Sequence, residues 1–262
     1  MHSQGFAPVH VLSAGCLTLP ERFFKTVPSL SFLIQHKYSE TQKTTRIVFD
    51  LGIRRKLGDY LKAIYQHAMT RQPLSGEHDT LASLASGGLT HDHIDMVVFS
   101  HLHWDHVGTP SDYPYSTYIV GPGAVDLIEK EDGICIEPQT QRLLGHFAKP
   151  WQRKGHFESV ADVFNDGGVY IVSALGHLEG HINLLCRLED GSKVYLAGDV
   201  CHDERILSGE KNIATWIDRE YNAIRDTVED PDDLRSVEVI FAHDAGWAKQ
   251  AAKRGSFFPG SL

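Results

Sequence analysis

Short runs of β-branched and aromatic residues, punctuated by Gly, Asp or Ser, recur along the chain and predict β-strands. The runs that share this pattern are 46–50, 95–100, 117–120, 169–174, 182–188, 193–197 and 237–242. Between the fifth and sixth runs, the Asp190-Gly191 step supplies the positive-φ positions that a tight turn requires. We therefore expect an antiparallel hairpin around residues 189–192.

Apolar residues at helical spacing predict helices at 57–69 and 213–228, with shorter candidates at 121–129 and 244–253. Because strands outnumber helices and the two alternate along the chain, the pattern favours a mixed α and β fold with helices covering sheets. We expect a single domain over residues 1–262. The segment 131–166 shows no clear periodicity, so we expect an irregular insertion there, either a lid over a binding site or an ordinary surface loop.

Composition narrows the function classes. The 262 residues are 42% hydrophobic, which is enough for a sizeable core, and the formal net charge of -9 argues against nucleic acid and anionic membranes as partners. No apolar run approaches the roughly 20 residues that a membrane helix needs. The four cysteines form no Cys-x-x-Cys pair, which suits a reducing compartment. We expect a soluble, cytoplasmic protein.

Histidine occurs 16 times, and one stretch concentrates it with a carboxylate. Directly after the predicted strand 95–100, the sequence places His101, His103, Asp105 and His106 within six residues. The first two can converge on one ion from a loop, and the last two can bind a second ion beside it. Imidazole and carboxylate ligands suit zinc, iron or manganese, and the absence of thiolates argues against a Cys-rich structural zinc site.

This His-x-His-x-Asp-His motif resembles the metal-binding motif of the metallo-β-lactamase superfamily. Three later segments resemble the remaining ligand segments of that family, and they contain His177, Asp199 and His243. The intervals between these three residues are similar to those of the N-acyl homoserine lactonase branch. Taken singly, each of the three is also explained as a polar residue that closes a strand.

Two further features are similar to the same family. Asp50-Leu51-Gly52 resembles a turn that supports the metal site, and His181 resembles a histidine that orients its neighbours without binding metal. Trp104, inside the motif, is expected to pack beneath the site.

The resemblance implies an α+β fold, the four-layer αββα sandwich of the metallo-β-lactamase family, and a site for two divalent ions. It assigns the first ion to His101, His103 and His177, the second to Asp105, His106 and His243, and a bridging role to Asp199. Zinc is the expected metal, with manganese or iron as alternatives, because several first-row ions accept such ligands.

The same resemblance implies hydrolysis by metal-bound hydroxide, since two divalent ions lower the pKa of a bound water toward about 7. We expect a small lactam, cyclic carbamate or lactone ring to be opened, with Asp105 and His202 as the catalytic residues. His202 stands where the lactonases carry a tyrosine, and an imidazole of pKa about 6.5 is suited to protonate a leaving group. It is otherwise a solvated residue at the start of a helix. The chain is also similar to fungal enzymes that open benzoxazolinone lactams.

Other functions stay open at this point. One alternative is N-acyl homoserine lactone hydrolysis, that is, quorum quenching. A phosphodiesterase of the same superfamily should show a basic groove, a mono-iron dioxygenase needs fewer ligands, and a non-catalytic binding module is expected to lose ligands. Metal content and oxygen uptake separate these classes.

Two sets of apolar residues are candidates for the substrate pocket. A flat aromatic pocket is suggested by Phe23, Phe24, Phe147, Trp151 and Phe157. Leu12, Leu17 and Leu19 near the N-terminus, together with Phe23 and Phe24, could cover either this pocket or a partner subunit, so a homodimer is a second possibility.

Overall fold

Two six-stranded sheets form the framework of the protein in the computed structural model. The structure describes residues 5–19, 25–38, 43–127, 144–146, 150–155, 157–201 and 237–262. The predicted helix 213–228 and the candidate residues Phe23, Phe24, Phe147 and His202 lie outside the described residues.

The strands of the described residues confirm the seven predicted runs and add five more. In chain order they are β1 Val9–Leu19, β2 Lys25–Lys37, β3 Thr44–Phe49, β4 Met96–Val98, β5 Thr117–Val120, β6 Leu144–His146, β7 Gln152–Lys154, β8 Phe157–Asp162, β9 Val169–Ser173, β10 Ile182–Arg187, β11 Lys193–Leu196 and β12 Val237–Ile240.

The first sheet has the strand order β1-β2-β3-β4-β5-β6, and the second has the order β12-β11-β10-β9-β8-β7. In the first sheet, β1, β2 and β3 pair antiparallel, whereas β3 to β6 run parallel. In the second sheet only β11 and β12 are parallel. The predicted hairpin at 189–192 joins β10 to β11, and Gly191 adopts the expected positive φ of 89°.

The helices of the described residues are short. They are α1 Lys62–Ala68, α2 Thr80–Ser86, α3 Trp104–Val107, α4 Ala124–Leu127 and α5 Ala245–Arg254, with 3-10 turns at Leu57–Asp59, Met69–Arg71, His91–His93 and Pro110–Asp112. Helix α5 begins where the Asp244 carboxylate accepts a hydrogen bond from the Trp247 amide, and it ends at Gly255 in the left-handed region. Among the described residues, no helix has the length and hydropathy needed to cross a membrane.

The main core lies between the two sheets. It joins Phe32, Ile47 and Val98 of the first sheet to Ile171 and Leu184 of the second, all at most 2% exposed. A second cluster on the outer face of the first sheet includes residues of α2, α3 and α4, and a third covers the outer face of the second sheet. The expected α+β class, with two sheets packed face to face and helices outside, is therefore confirmed.

The predicted helix 57–69 is shorter than expected, and two of the apolar residues whose spacing predicted it, Leu61 and Tyr65, are exposed. Tyr60 and Leu61 are extended, with ψ of 150° and 145°, so the chain turns in a 3-10 segment before α1 begins. This break resets the helical phase: Ile64 and Ala68 are buried, while Leu61 is 65% and Tyr65 37% exposed.

The segment 131–166, expected to be irregular, contains three strands among its described residues. Strand β6 pairs with the edge strand β5, and β7 and β8 extend the second sheet beyond β9. Strands β6 and β7 escaped the sequence pattern because they have three residues each, too few to display a period of two. Strand β8 has six residues, but its buried residues, Val160 and Ala161, are adjacent and do not alternate with exposed ones.

Candidate metal centre

The candidate ligands come together because their strands end at one rim of the sandwich. In the first sheet, Asp50 follows β3 and His101 follows β4, which run parallel. In the second sheet, Asp199 and His243 follow the parallel strands β11 and β12. His177 lies in the loop from β9 to β10, at the same end of that sheet. Both sheets thus contribute to one site.

The structure places the seven candidate ligands in two groups, and within each group the ligand atoms lie within 4.8 Å of one another. The first group consists of His101, His103 and His177. The Nε2 atoms of His101 and His177 lie 2.8 and 2.9 Å from Nδ1 of His103. This grouping matches the set that the resemblance assigns to the first ion.

The second group consists of Asp105, His106, Asp199 and His243, all buried. Nε2 of His106 and Nε2 of His243 each lie 3.2 Å from the same oxygen, Oδ1 of Asp199. The other oxygen of Asp199, Oδ2, lies 3.7 Å from Nε2 of His177 in the first group. Asp199 therefore sits between the two groups, as a bridging ligand must.

Hydrogen bonds fix the direction of three of the imidazoles. Nδ1 of His106 donates to Asp50 Oδ2 at 2.9 Å, and Nδ1 of His243 donates to the Pro28 carbonyl at 2.8 Å. Ser100 Oγ donates to Asp50 Oδ2 and so accepts from Nδ1 of His101, at 2.7 and 2.9 Å. In each ring the Nδ1 atom is engaged by the scaffold, which leaves Nε2 directed into the site.

Asp50 organises this scaffold from a backbone conformation that side chains rarely adopt, with φ of 60°. Its Oδ1 accepts from the Ser100 amide at 2.7 Å, while Oδ2 holds Ser100 Oγ and His106. On the second sheet, the Asp199 amide donates to His181 Nε2 at 3.3 Å. His181 thus contacts the backbone of a candidate ligand and belongs to neither ligand group.

Two glycines allow the backbones to approach. Gly108 ends α3 with φ of 54° and ψ of −130°, and a Cβ there would lie 2.6 Å from the Leu51 carbonyl oxygen. Gly198, before Asp199, has φ of 50°, and a Cβ there would lie 2.8 Å from Ser100 Cβ. Residues without a side chain are required at both positions to close the site.

Mutual charge sets the protonation of the second group in the metal-free chain. Burial lowers the pKa of His243, but the charge of Asp199 and hydrogen bonds to Asp105 and Asp199 outweigh it and raise that pKa to about 10. Burial also lowers the pKa of His106. The carboxylates of Asp199 and Asp50 outweigh burial and raise this pKa well above its usual value. Burial raises the pKa of Asp105, yet the hydrogen bond to His243 and the charges of both histidines lower it to about 2.

In the first group, by contrast, the pKa of His101 is lowered. Burial, followed by the charges of His106, His103 and His177, lowers the pKa of His101 well below 6.5. His101 is therefore a neutral imidazole at pH 7, the form that binds metal.

These residues fit a pair of divalent ions. His106 Nε2 is buried and has no hydrogen-bond partner among the described residues, and it faces the Asp199 carboxylate. A buried imidazole nitrogen in that position is costly unless a cation or proton joins it to the carboxylate. One group offers three imidazoles, the other offers two imidazoles and a carboxylate, and Asp199 adds a carboxylate between them. Zinc, manganese and iron accept such a donor set.

A cavity of about 370 Å³ opens onto both ligand groups. His103, Asp105, His177, Asp199 and His243 line its metal-binding side. The other side is formed by Leu17 and Leu19 of β1, by Ala63, Ile64 and His67 of α1, and by Arg71 and Trp104. Leu17 and Leu19 therefore cover the chain's own cavity, one of the two roles considered for them; the homodimer stays a prediction.

The aromatic pocket expected from the sequence is wrong for the two members that the structure describes. Trp151 packs against the core between the sheets, and Phe157 stacks on Tyr195 on the outer face of the second sheet. Neither lines the cavity. Trp104 does contribute, since it packs with Leu17 and Ile64 and also lines the cavity.

Sequence reasoning missed three residues of the site. Ser100, which holds His101, carries a signal in its position at the end of the predicted strand just before the motif. His67 and Arg71 line the cavity, but Arg71 lies beyond the end of the predicted helix 57–69, so helical spacing gave no signal that linked the two. His202, a predicted catalytic residue, lies outside the described residues.

Comparisons with known proteins give the following picture. No protein-family model matches the chain. The cytochrome P450 monooxygenase mpaDE of Penicillium roqueforti (strain FM164) is 32% identical over 71% of this chain and 23% of that protein. The gamma-lactamase FDB1 of Fusarium pseudograminearum (strain CS3096) is 29% identical over 66% of this chain and 45% of that protein. The chain thus spans about a quarter of the length of mpaDE and under half of the length of FDB1.

Among solved structures, a variant of the lactonase AiiA from B. thuringiensis, with N-decanoyl-L-homoserine bound at its active site, superposes with a TM-score of 0.72. The match covers 100% of both chains at 18% sequence identity. At this identity the likeness shows that the two chains share a fold.

Proposed function

Because this chain is a protein of the metallo-β-lactamase superfamily near the N-acyl homoserine lactonase branch, we propose that it is a metal-dependent hydrolase that opens a small lactam, cyclic carbamate or lactone ring. The observation that carries the proposal is the convergence of seven ligand side chains in two adjacent groups. The gamma-lactamase FDB1 and the N-acyl homoserine lactonase AttM of Rhizobium radiobacter, 29% identical over 59% of this chain, support the bond type.

Each ligand group would hold one ion, and Asp199 would contact both. When bound, two divalent ions supply a water of lowered pKa as nucleophile and a Lewis acid for the ring carbonyl. The chain's own residues fix this geometry: Ser100, Asp50 and the Pro28 carbonyl hold three imidazoles through Nδ1. Apolar side chains of β1 and α1 line the cavity and would displace water from around a bound ring, which would strengthen the electrostatic interactions there.

Two residues are proposed as catalytic. Asp105, with a pKa of about 2 in the metal-free chain, is an anion at neutral pH and lines the cavity beside His243. We also propose that His202 protonates the leaving group, since its position corresponds to the tyrosine of the lactonases. Replacing His202 with alanine should then lower kcat by about 10² to 10⁴ and leave the metal content unchanged. Unchanged turnover removes His202 from the mechanism.

The function is tested by metal analysis and a substrate panel. Purified protein should contain two equivalents of zinc or manganese, and chelation should abolish turnover. The panel contains a homoserine lactone, a γ-lactone, benzoxazolinone, a β-lactam and a phosphodiester at neutral pH, with ring opening followed by mass. Hydrolysis of a lactone or lactam supports the proposal. One iron with oxygen uptake, or turnover that survives removal of the metal, contradicts it.

A second candidate is hydrolysis of N-acyl homoserine lactones. It is favoured by the apolar wall of Leu17, Leu19, Ala63 and Ile64, which lies beside the ligand groups and is suited to an acyl chain. The discriminating measurement is kcat/KM over acyl chains of increasing length. A rise with chain length favours this candidate, whereas a preference for lactams over all acyl lactones excludes it as the main activity.

A further inference from the structure

The cavity is lined by a cationic side chain, Arg71, that belongs to neither ligand group. Arg71 ends the 3-10 turn Met69–Arg71 that follows α1, and its side chain lines the cavity together with His67. Arg71 Nη2 donates to His67 Nε2 at 3.4 Å. Burial, and then the positive charge of Arg71, lower the pKa of His67, so His67 is a neutral imidazole that accepts from the guanidinium.

Arg71 has no carboxylate partner among the described residues, whereas Arg55 and Arg254 do. Arg55 pairs with Asp79 and Asp112, and Arg254 lies 3.5 Å from Glu238. Arg71 is only partly exposed, and its guanidinium offers donors but no acceptor. A guanidinium presents a planar fork of donors that matches a carboxylate, so a partly buried arginine with only a neutral partner is suited to an anionic ligand.

The charges that line the cavity also favour an anionic ligand at Arg71. Among the described residues, the acidic side chains that line the cavity are Asp105 and Asp199; both belong to the second ligand group and lie 3.5 and 3.2 Å from Nε2 of His243. Divalent ions bound there would leave the floor of the cavity without net negative charge. Arg71 lines the same cavity and would then offer a positive charge to a ring bound there. Its guanidinium would attract an anionic substituent of the ring, whereas a neutral substituent would gain no electrostatic stabilisation.

We propose that Arg71, held by His67, is a specificity-determining residue that binds a carboxylate carried by the ring substrate. The substrate class is then a lactone or lactam with an acidic substituent, oriented by the metal site at one end and by the guanidinium at the other. This assignment of substrate class rests on the proposed function, whereas the anion site itself is independent of it.

Equilibrium binding tests the site without turnover. The zinc-loaded protein is titrated calorimetrically with succinate, glutarate and adipate, and with the monomethyl ester of each. One carboxylate can engage the metal site, and only the diacids offer a second one to Arg71. We expect at least one diacid to bind about tenfold tighter than its monoester, the effect of one hydrogen bond to a charged group.

Three variants identify the residue responsible. Arg71→Gln should bring the diacid and its monoester to within twofold of each other, and Arg71→Lys should retain part of the difference. Lys62→Gln removes the same charge from an exposed position of α1 that does not line the cavity, and it should keep the full difference. Thermal unfolding of each variant verifies that the fold is intact.

The outcomes separate this inference from the proposed function. An unchanged diacid preference in Arg71→Gln, or no preference in the original chain for any of the three diacids, overturns the anion site. If the preference depends on Arg71 but the substrate panel is not hydrolysed, the anion site stands and the ring-opening function fails. If the panel is hydrolysed but the diacid preference does not depend on Arg71, the ring-opening function stands and the anion site fails.

Discussion

Asp50 Oδ2 lies 2.9 Å from Nδ1 of His106, although the two residues are separated by 56 positions, Asp50 directly after β3 and His106 in α3. The carboxylate fixes the tautomer of the imidazole, so that Nε2 faces Asp199. The same carboxylate accepts from the amide and hydroxyl of Ser100, which in turn holds His101. One side chain thus orients a candidate ligand of each ion.

Replacing Asp50 with Asn should therefore weaken metal binding without removing a ligand. Asparagine tolerates the positive φ at this position, but its amide lacks the charge that holds His106. We expect the zinc affinity to fall about 10 to 100-fold, as measured by competition with a chromophoric chelator. Asp190→Asn, at the exposed β10–β11 turn, makes the same change away from the site and should leave the affinity unaltered. Equal affinities in the two variants would show that the Asp50 carboxylate is not needed.

The two ligand groups should lose metal independently. His103→Ala removes a ligand of the first group only, and His243→Ala removes one of the second only. We expect the zinc content measured by mass spectrometry to fall from about two equivalents to about one in each variant. His78→Ala, an exposed position outside both groups, should keep two equivalents. Retention of both ions in either ligand variant contradicts the assignment.

The metal-free protein should become less stable as the pH rises from neutral to alkaline values. The pKa of His243 is raised to about 10 in the folded chain, so its protonated form is favoured by folding. Its contribution to stability is complete below the ordinary pKa of about 6.5 and is lost as the pH rises toward 10. Urea unfolding of the chelator-treated protein between pH 6 and 9.5 measures this slope.

Two substitutions serve as controls for that slope. His243→Gln should flatten it, whereas His78→Gln should leave it unchanged. A stability that is constant from pH 6.5 to 9.5 in the metal-free chain would rule out a protonated His243. Zinc should suppress the same pH dependence, because metal binding displaces the proton from the imidazole.

Glycine is needed at position 108 for more than its backbone freedom. Gly108 and Gly88 have φ of 54° and 77°, but only at Gly108 would a Cβ meet backbone atoms, those of Leu51. We expect Gly108→Ala to lower the free energy of unfolding by about 2 kcal/mol or more, and Gly88→Ala by about 1 kcal/mol. Urea denaturation compares the two variants directly, and equal losses would show that the approach to Leu51 carries no cost.

The sequence pattern predicted the strands that end at the site but not the first two strands. Runs such as 193–197 are short, apolar and closed by Gly or Asp, so their limits are visible. β1 and β2 are buried on both faces, because Phe32 faces the second sheet and Leu33 the outer cluster. A bulge between Ser13 and Cys16 also shifts the register of β1. Neither strand therefore shows the alternation that marks a strand with one exposed face.

The candidate ligands were predictable because metal binding restricts residue type and spacing. The opposite wall of the cavity was not, because apolar side chains such as Leu17 and Ile64 are indistinguishable in sequence from ordinary core residues. For the same reason Trp151 and Phe157 suggested a pocket that they do not line. Their position follows from which sheet they join, and that depends on pairing between distant strands.

The β1–β2 hairpin supplies none of the seven ligands, yet it reaches the site at three points. The Pro28 carbonyl accepts from His243, Ser29 Oγ donates to the Asp105 carbonyl at 2.8 Å, and Leu17 lines the cavity. A fragment cut to begin at residue 39 would retain all seven candidate ligands and still lose the support behind two of them. Dissection into a minimal catalytic unit must therefore keep this hairpin, however far it lies from the ligand motif along the polypeptide.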